Sequence, residues 1–185
     1  MKLITEQTTK IKATLPTRDA TKKQEVFYNP LMKSNRNLSI VLLNSISNKE
    51  MGLALPLAGS GIRGLRFLKE LKKGKLNHLY LNDRKETFEK TIKENLKLNS
   101  LKTNKINIST QDAEQFLLSQ HCDESCGYMD YIDIDPFGTP NPFISVAVNK
   151  IKRNGILAIT ATDTAALTGT YSKVTKRKYW ARSLR

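Results

Sequence analysis

Acidic residues are scarce in this chain: 17 Asp and Glu stand against 31 Lys and Arg, a formal charge of +14 at pH 7. Such a surplus attracts polyanions, because each cation near a phosphate releases a condensed counterion, so nucleic acid is the expected partner class. Cysteine is nearly absent. Cys122 and Cys126 are the whole complement, and with the adjacent His121 they fall short of the four ligands of a structural zinc site. Two free thiols in a reducing compartment are expected, and no metal. No apolar run approaches the ~20 residues that span a bilayer. Residues 1–12 are polar and contain no hydrophobic signal core, so the expected setting is cytoplasmic, without membrane contact. Internal repeats and low-complexity linkers are absent as well.

What is present suits one domain: 185 residues, 39% of them hydrophobic, can bury a full core. From residue 53 onward, strand-like and helix-like segments alternate, the signature of a doubly wound α/β fold with a mostly parallel sheet. Strands are predicted at 53–58, 78–81, 106–108, 128–134 and 155–162, and helices at 62–73, 85–98, 114–119 and 141–152. Pro56 fits poorly inside the first strand, since proline donates nothing to the ladder. Residues 1–40 lack clear periodicity and are set apart as an N-terminal flank to a domain at 41–185. At the other end, residues 171–185 carry six basic residues and no acidic one, with Tyr171, Tyr179 and Trp180 interleaved. That mixture suits base stacking with phosphate contact, or equally a solvated helix end.

Two segments carry the chemistry. Gly59, Gly61 and Gly64 form Gly-x-Gly-x-x-Gly between the first strand and helix. Such a turn lets a cofactor approach the helix N-terminus, and by itself it also fits NAD or FAD. Asp83 follows 19 residues after Gly64, where a carboxylate accepts both ribose hydroxyls or serves as a helix N-terminal acid. Asp112, with Ala113 beside it, suits an adenine amino group, a helix cap, or both. The second segment is Asp133-Ile134-Asp135-Pro136-Phe137-Gly138-Thr139-Pro140. An aromatic amine is a poor nucleophile because its lone pair is delocalised, and Asp135 can hold an N–H in line and offset the developing charge. Pro136 fixes an adjacent carbonyl acceptor and Phe137 offers a stacking face. Asp133, two residues back on the same strand face, is a supporting acid or a buried, paired carboxylate. The two segments together outline methyl transfer from S-adenosylmethionine to an exocyclic base nitrogen.

Val26-Phe27-Tyr28-Asn29-Pro30, Ser60-Gly61-Ile62-Arg63-Gly64, residues 133–140 and Ala161-Thr162-Asp163-Thr164-Ala165 resemble the tRNA (guanine-N2) dimethyltransferases that modify guanosine 26. The resemblance runs from about Val26 to Arg185 and implies a Rossmann-like class I methyltransferase domain with tRNA as substrate. It places Arg36 and Arg63 near the methionine end of the cofactor, Asp83 at the ribose, and Asp112 with Ala113 at the adenine. Asp135 becomes the catalytic acid, and Phe27 with Phe137 the aromatic walls of a guanine pocket. The family's acidic residue near the end of strand one is Leu55 here. Its Asn-Arg-Asp motif is Asn35-Arg36-Asn37, which removes one carboxylate that would orient Arg36. Family members are about twice as long, so the last sheet strands and a C-terminal domain are expected elsewhere, or a partner protein in their place. A second reading is a non-catalytic RNA-binding or assembly subunit, motivated by Leu55 and the stop at Arg185. An adenine methyltransferase acting on DNA shares the Asp-Pro-aromatic logic, but Phe137-Gly138 argues against it. No hydride-transfer acid/base pair supports NAD chemistry.

Overall fold

The computed structural model describes residues 1–14, 26–119 and 128–182. Cys122 and Cys126 lie outside the described residues, as do the last three of the basic tail. Five strands form a parallel sheet: β3 (Met51–Leu55), β4 (Leu76–Asn82), β5 (Ile106–Ser109), β6 (Met129–Ile134) and β7 (Ile151–Ile159), in the order β5-β4-β3-β6-β7. Between them run α2 (Ile62–Glu70), α3 (Phe88–Leu98), α4 (Ala113–Ser119) and α5 (Asn141–Lys150). The chain winds outward from β3 to β5 and then returns to β6 on the other side. The strand order therefore reverses between β3 and β6, where doubly wound folds bind ligands beyond the strands' carboxyl ends.

Central strands of a parallel sheet are covered on both faces and are apolar on both. Leu53 and Leu55 pack with Leu79, Leu81, Phe67 and Ile92 on the face of α2 and α3, whereas Ala54 joins Phe116, Ile132 and Ala147 on the face of α4 and α5. The same alternation sends Tyr131 and Asp133 toward α2 and its neighbours, and leaves Ile132 and Ile134 opposite. Period-two geometry thus aims a carboxylate at the α2 face of the sheet.

Several predicted boundaries shift. The first strand stops at Leu55, immediately before Pro56, so the proline never enters the ladder. The second helix begins at Phe88 rather than at 85, and the helix after the glycine turn ends at Glu70. Helix α5 ends at Lys150 and runs directly into β7, which starts at Ile151 instead of 155. The register jumps from the Met129–Ile151 pair to the Tyr131–Ile156 pair, so residues 152–155 bulge outward there.

Residues 1–14 and 26–40, which show no clear periodicity in the sequence, are ordered by tertiary contacts. Strands β1 (Lys2–Glu6) and β2 (Thr9–Ala13) form an antiparallel hairpin. Thr9, Ile11 and Ala13 are buried in alternation with exposed Lys10 and Lys12. The carboxamides of Asn95 in α3 and of Asn99, its C-cap, accept the backbone N–H of Lys12 and Lys10, each at 2.9 Å, and so cap the hairpin edge. Helix α1 (Lys33–Ser45) follows a short 3₁₀ turn, Pro30–Met32. After β7, a short α6 (Thr164–Leu167) leads into α7 (Ser172–Tyr179). Among the described residues, no helix is long and apolar enough to cross a membrane.

Candidate active site

A cavity of about 400 Å³ opens where β3 and β6 end, within the size range of small-ligand sites. Its lining joins the glycine turn, the end of β4, the segment after β6 and the N-terminal flank. Of the residues singled out by sequence, Phe27, Arg36, Gly59, Arg63, Asp83, Asp135, Pro136 and Phe137 line it. Gly61, Asp112 and Ala113 lie outside this lining.

Gly59 and Gly61 both have positive φ, 57° and 73°. The Gly59 N–H donates to Asp83 Oδ2 at 2.9 Å, so the carboxylate at the end of β4 ties down the turn. Asp83 Oδ1 accepts from the Lys85 N–H at 3.2 Å, and α3 begins five residues later, too far on for Asp83 to sit in its first turn. Each carboxylate oxygen keeps a lone pair for a ligand hydroxyl. Gly61 has a packing role: a Cβ there would stand 2.1 Å from Ile92 Cδ1. Gly61→Ala meets both that clash and a left-handed backbone, and it should destabilise the fold by about 2–3 kcal/mol in a denaturant titration. A cost below about 0.5 kcal/mol would mean that α3 moves aside easily.

Asp112 caps α4. Its Oδ1 accepts the Glu114 N–H at 2.9 Å and its carbonyl accepts the Phe116 N–H at 2.8 Å.

Arg63 organises the floor of the site. Its Nε lies 2.9 Å from Asp133 Oδ2, Nη1 donates to Ser39 Oγ at 2.7 Å and Nη2 donates to Asn35 Oδ1 at 2.7 Å. Tyr131 Oη donates to the same Asp133 oxygen at 2.7 Å. Burial raises the Asp133 pKa, and the Arg63 charge and the Tyr131 hydrogen bond counter it. Asp133 is therefore a buried, paired carboxylate. Asp135 is different: its side chain is 30% exposed, and Arg63 Nη2 lies 3.7 Å away, beyond hydrogen-bond reach. Burial and the charge of Asp133 push Asp135 up to about 6, although Arg63 and Arg36 pull the other way. A carboxylate near pH 6 is suited to take up a proton.

Two aromatic rings stand beside it. Phe27 and Phe137 meet edge to face with centroids 4.7 Å apart and planes at 65°. Val26 and Tyr28, on either side of Phe27, are buried against the hairpin and α2, which turns Phe27 toward the cavity. Past Phe137, Gly138 takes φ 103° and its N–H donates to Thr162 Oγ1 at 3.3 Å, joining the β6 and β7 loops.

Glu6 gave no signal in the sequence. From the turn end of the hairpin it reaches Arg36 Nε at 2.8 Å, Arg66 Nη1 at 2.7 Å and Tyr28 Oη at 2.7 Å, and its side chain is fully buried. Burial alone would raise its pKa. The hydrogen bonds from Arg36 and Tyr28 and the Arg36 charge prevail and hold it at about 2. A lone acid in a short polar segment could be found only by pairing it in space with arginines 30 and 60 residues away.

A family model for N2,N2-dimethylguanosine tRNA methyltransferases matches residues 2–185. The chain belongs to this family. It is 43% identical to a tRNA (guanine(26)-N(2)/guanine(27)-N(2))-dimethyltransferase of Aquifex aeolicus, over 86% of this chain and 40% of that protein. With a tRNA (guanine(26)-N(2))-dimethyltransferase of Methanococcus aeolicus the identity is 42%, covering 100% and 49% respectively. The chain spans about half the length of the curated relatives it matches, or less. Among solved structures, Trm1 from Pyrococcus horikoshii with S-adenosyl-L-methionine superposes with a TM-score of 0.83 at 34% identity, over 100% of this chain and 49% of that one. The tRNA m1G37 methyltransferase of M. jannaschii, at 15% identity and a TM-score of 0.59, shares the fold alone. The sheet is thus the Rossmann-like methyltransferase fold that the motifs of this family imply.

Proposed function

We propose that this chain carries the cofactor and base sites of an S-adenosylmethionine-dependent tRNA (guanine-N2) methyltransferase, acting at guanosine 26 to give N2,N2-dimethylguanosine. The observation that carries it is Asp135, raised to about 6, on a cavity shared with the Phe27–Phe137 pair and the glycine turn. The donor set fits the cofactor: Asp83 beside Gly59 suits ribose hydroxyls, and Arg36 and Arg63 suit a carboxylate. Asp112 and Ala113 lie outside the cavity lining and keep the adenine side only as the family resemblance implies. Bound S-adenosylmethionine supplies an electrophilic methyl group on a sulfonium centre.

The rings of Phe27 and Phe137, with Pro136, hold the guanine, displaced from its stack, with its N2 beside Asp135. Asp135 accepts an N–H and aligns the amine. The cofactor would supply the methyl carbon to the nitrogen lone pair and would keep the C–S electron pair on its sulfur. The surplus N2 proton passes to Asp135 and then to water. A second round repeats the transfer on the remaining N–H. A methylation assay on unmodified tRNA, with the product nucleotide mapped, tests this reading. Incorporation elsewhere than guanosine 26 overturns the substrate, and absence of cofactor binding favours a non-catalytic RNA-binding subunit.

Helix α7 fits the RNA backbone. Lys173, Lys176 and Arg177 are exposed at i, i+3 and i+4, on one face of the helix, and Trp180 just past its end is exposed as well. On the inner side, Lys178 and Tyr179 bind Asp163, next to the cavity-lining Thr162. Replacing Lys173, Lys176 and Arg177 together with Ala should weaken tRNA binding and reduce the slope of log K against log salt by about 2–3 units. Cofactor affinity should not change; an unaltered salt slope would remove α7 from the interface. Further tRNA contacts are assigned to residues beyond this chain or to a partner protein, in a cytoplasmic setting.

A further inference from the structure

We infer that Glu6 is a positioning residue, holding Arg36 so that the remaining Nη1 of its guanidinium meets the carboxylate of the cofactor's amino-acid tail. The inference rests on the proposed cofactor site and deepens it. Arg36 lies on the cavity wall although it is only 5% exposed. Its Nε and Nη2 are both taken by Glu6, and Nη2 also donates to the Asn29 carbonyl at 3.0 Å. The Tyr28 ring supports the guanidinium from 5.1 Å. Only Nη1 makes no hydrogen bond among the described residues. Glu6 is fixed in turn by Arg66, whose Nε and Nη2 are held by Glu70 at 2.8 and 2.7 Å.

The chain of contacts therefore runs from α2, through the hairpin, to the cavity wall. Within α1 itself, the neighbours of Arg36 supply no carboxylate, since they are Asn35 and Asn37. Asn35 binds Arg63, and the buried Asn37 Oδ1 has no partner among the described residues. The orienting carboxylate comes instead from 30 residues upstream. An arginine held on two edges and one face presents its remaining donor without losing rotamer freedom on binding, which is how preorganisation raises affinity.

Calorimetry with two probes tests this on the whole chain: S-adenosylhomocysteine, and methylthioadenosine, which keeps the nucleoside and thioether but lacks the amino-acid tail. Glu6→Gln should weaken S-adenosylhomocysteine about 10- to 100-fold, with methylthioadenosine unchanged. Arg36→Lys should give the same split. A merely structural Glu6 would lower the melting temperature and shift both probes alike, or neither, and either result overturns the inference. Should Glu6→Gln fail to fold, Glu6→Asp keeps the charge, withdraws it from Arg36 and is read in the same way. Wild-type protein that binds neither probe overturns the cofactor site itself, a result distinct from a wild type that binds and a variant without a split.

Discussion

Replacing Asp135 by Asn should lower methyl transfer by about 10³-fold while leaving cofactor binding nearly intact, and should stabilise the fold at the same time. Both effects have one cause. Burial and the negative charge of Asp133 raise the Asp135 pKa from 3.8 to about 6, so the ionised form that the chemistry uses is the form the folded chain disfavours. A carboxylate raised on folding favours the native state below the unfolded pKa, and that contribution is lost as pH rises through about 6. At pH 8 the Asn variant should therefore be more stable by about 3 kcal/mol, and at pH 3, below the unfolded pKa, the two should be nearly equal. Denaturant titrations at both pH values check this; a pH-independent gap would refute the buried-carboxylate explanation. In the wild type, transfer should rise about tenfold per pH unit below 6 and level off above it. A rate still climbing steeply at pH 8 would assign the proton to another group.

Arg63→Met should be the most damaging single change to the fold near the site, at about 3–5 kcal/mol. It strands Asp133, 3% exposed, with the Tyr131 hydroxyl as its remaining hydrogen-bond donor among the described residues, and it removes the Arg63 N–H groups that Ser39 and Asn35 accept. For a chain of this size the melting temperature should fall by about 10 °C. Because the stranded group is a carboxylate, the loss should shrink on acidification, as Asp133 becomes neutral. Adding Asp133→Asn should recover a large part of the loss, which a double-mutant cycle measures directly. A double variant no better than Arg63→Met alone would mean that the arginine acts through packing and not through the pair.

The α/β core was legible because its signals are local. Leu53 to Leu55, the Leu79–Leu81 pair and Tyr131 to Ile134 are runs whose apolar character survives burial on either face. The glycines and Pro56 mark their ends by backbone sterics alone. Helix α1 was not legible, although its inward positions Arg36, Ser39, Ile40 and Leu43 keep helical spacing. Two of the four are polar, while Leu38, Val41 and Leu42 face outward and are exposed, so the apolar stripe points the wrong way. The hairpin escaped notice for a related reason. Its inward residue at the turn end is Glu6, a charge that burial tolerates only with Arg36 and Arg66 present.

By itself the sequence determined the order of strands and helices from β3 to β7, the glycine turn, and the carboxylate and aromatic that follow β6, since all of these depend on short-range sterics and periodicity. Tertiary structure alone decided how the two aspartates differ. Asp133 near the end of β6 and Asp135 just past it both border the cavity, yet the first is closed in by Arg63 and Tyr131 at 3% side-chain exposure while the second is 30% exposed. It also decided that Arg36 is oriented by Glu6 and that Phe27 meets Phe137. Each of these depends on what the fold brings close from far along the chain, because the energy of a buried charge or ring is set by its neighbours in space.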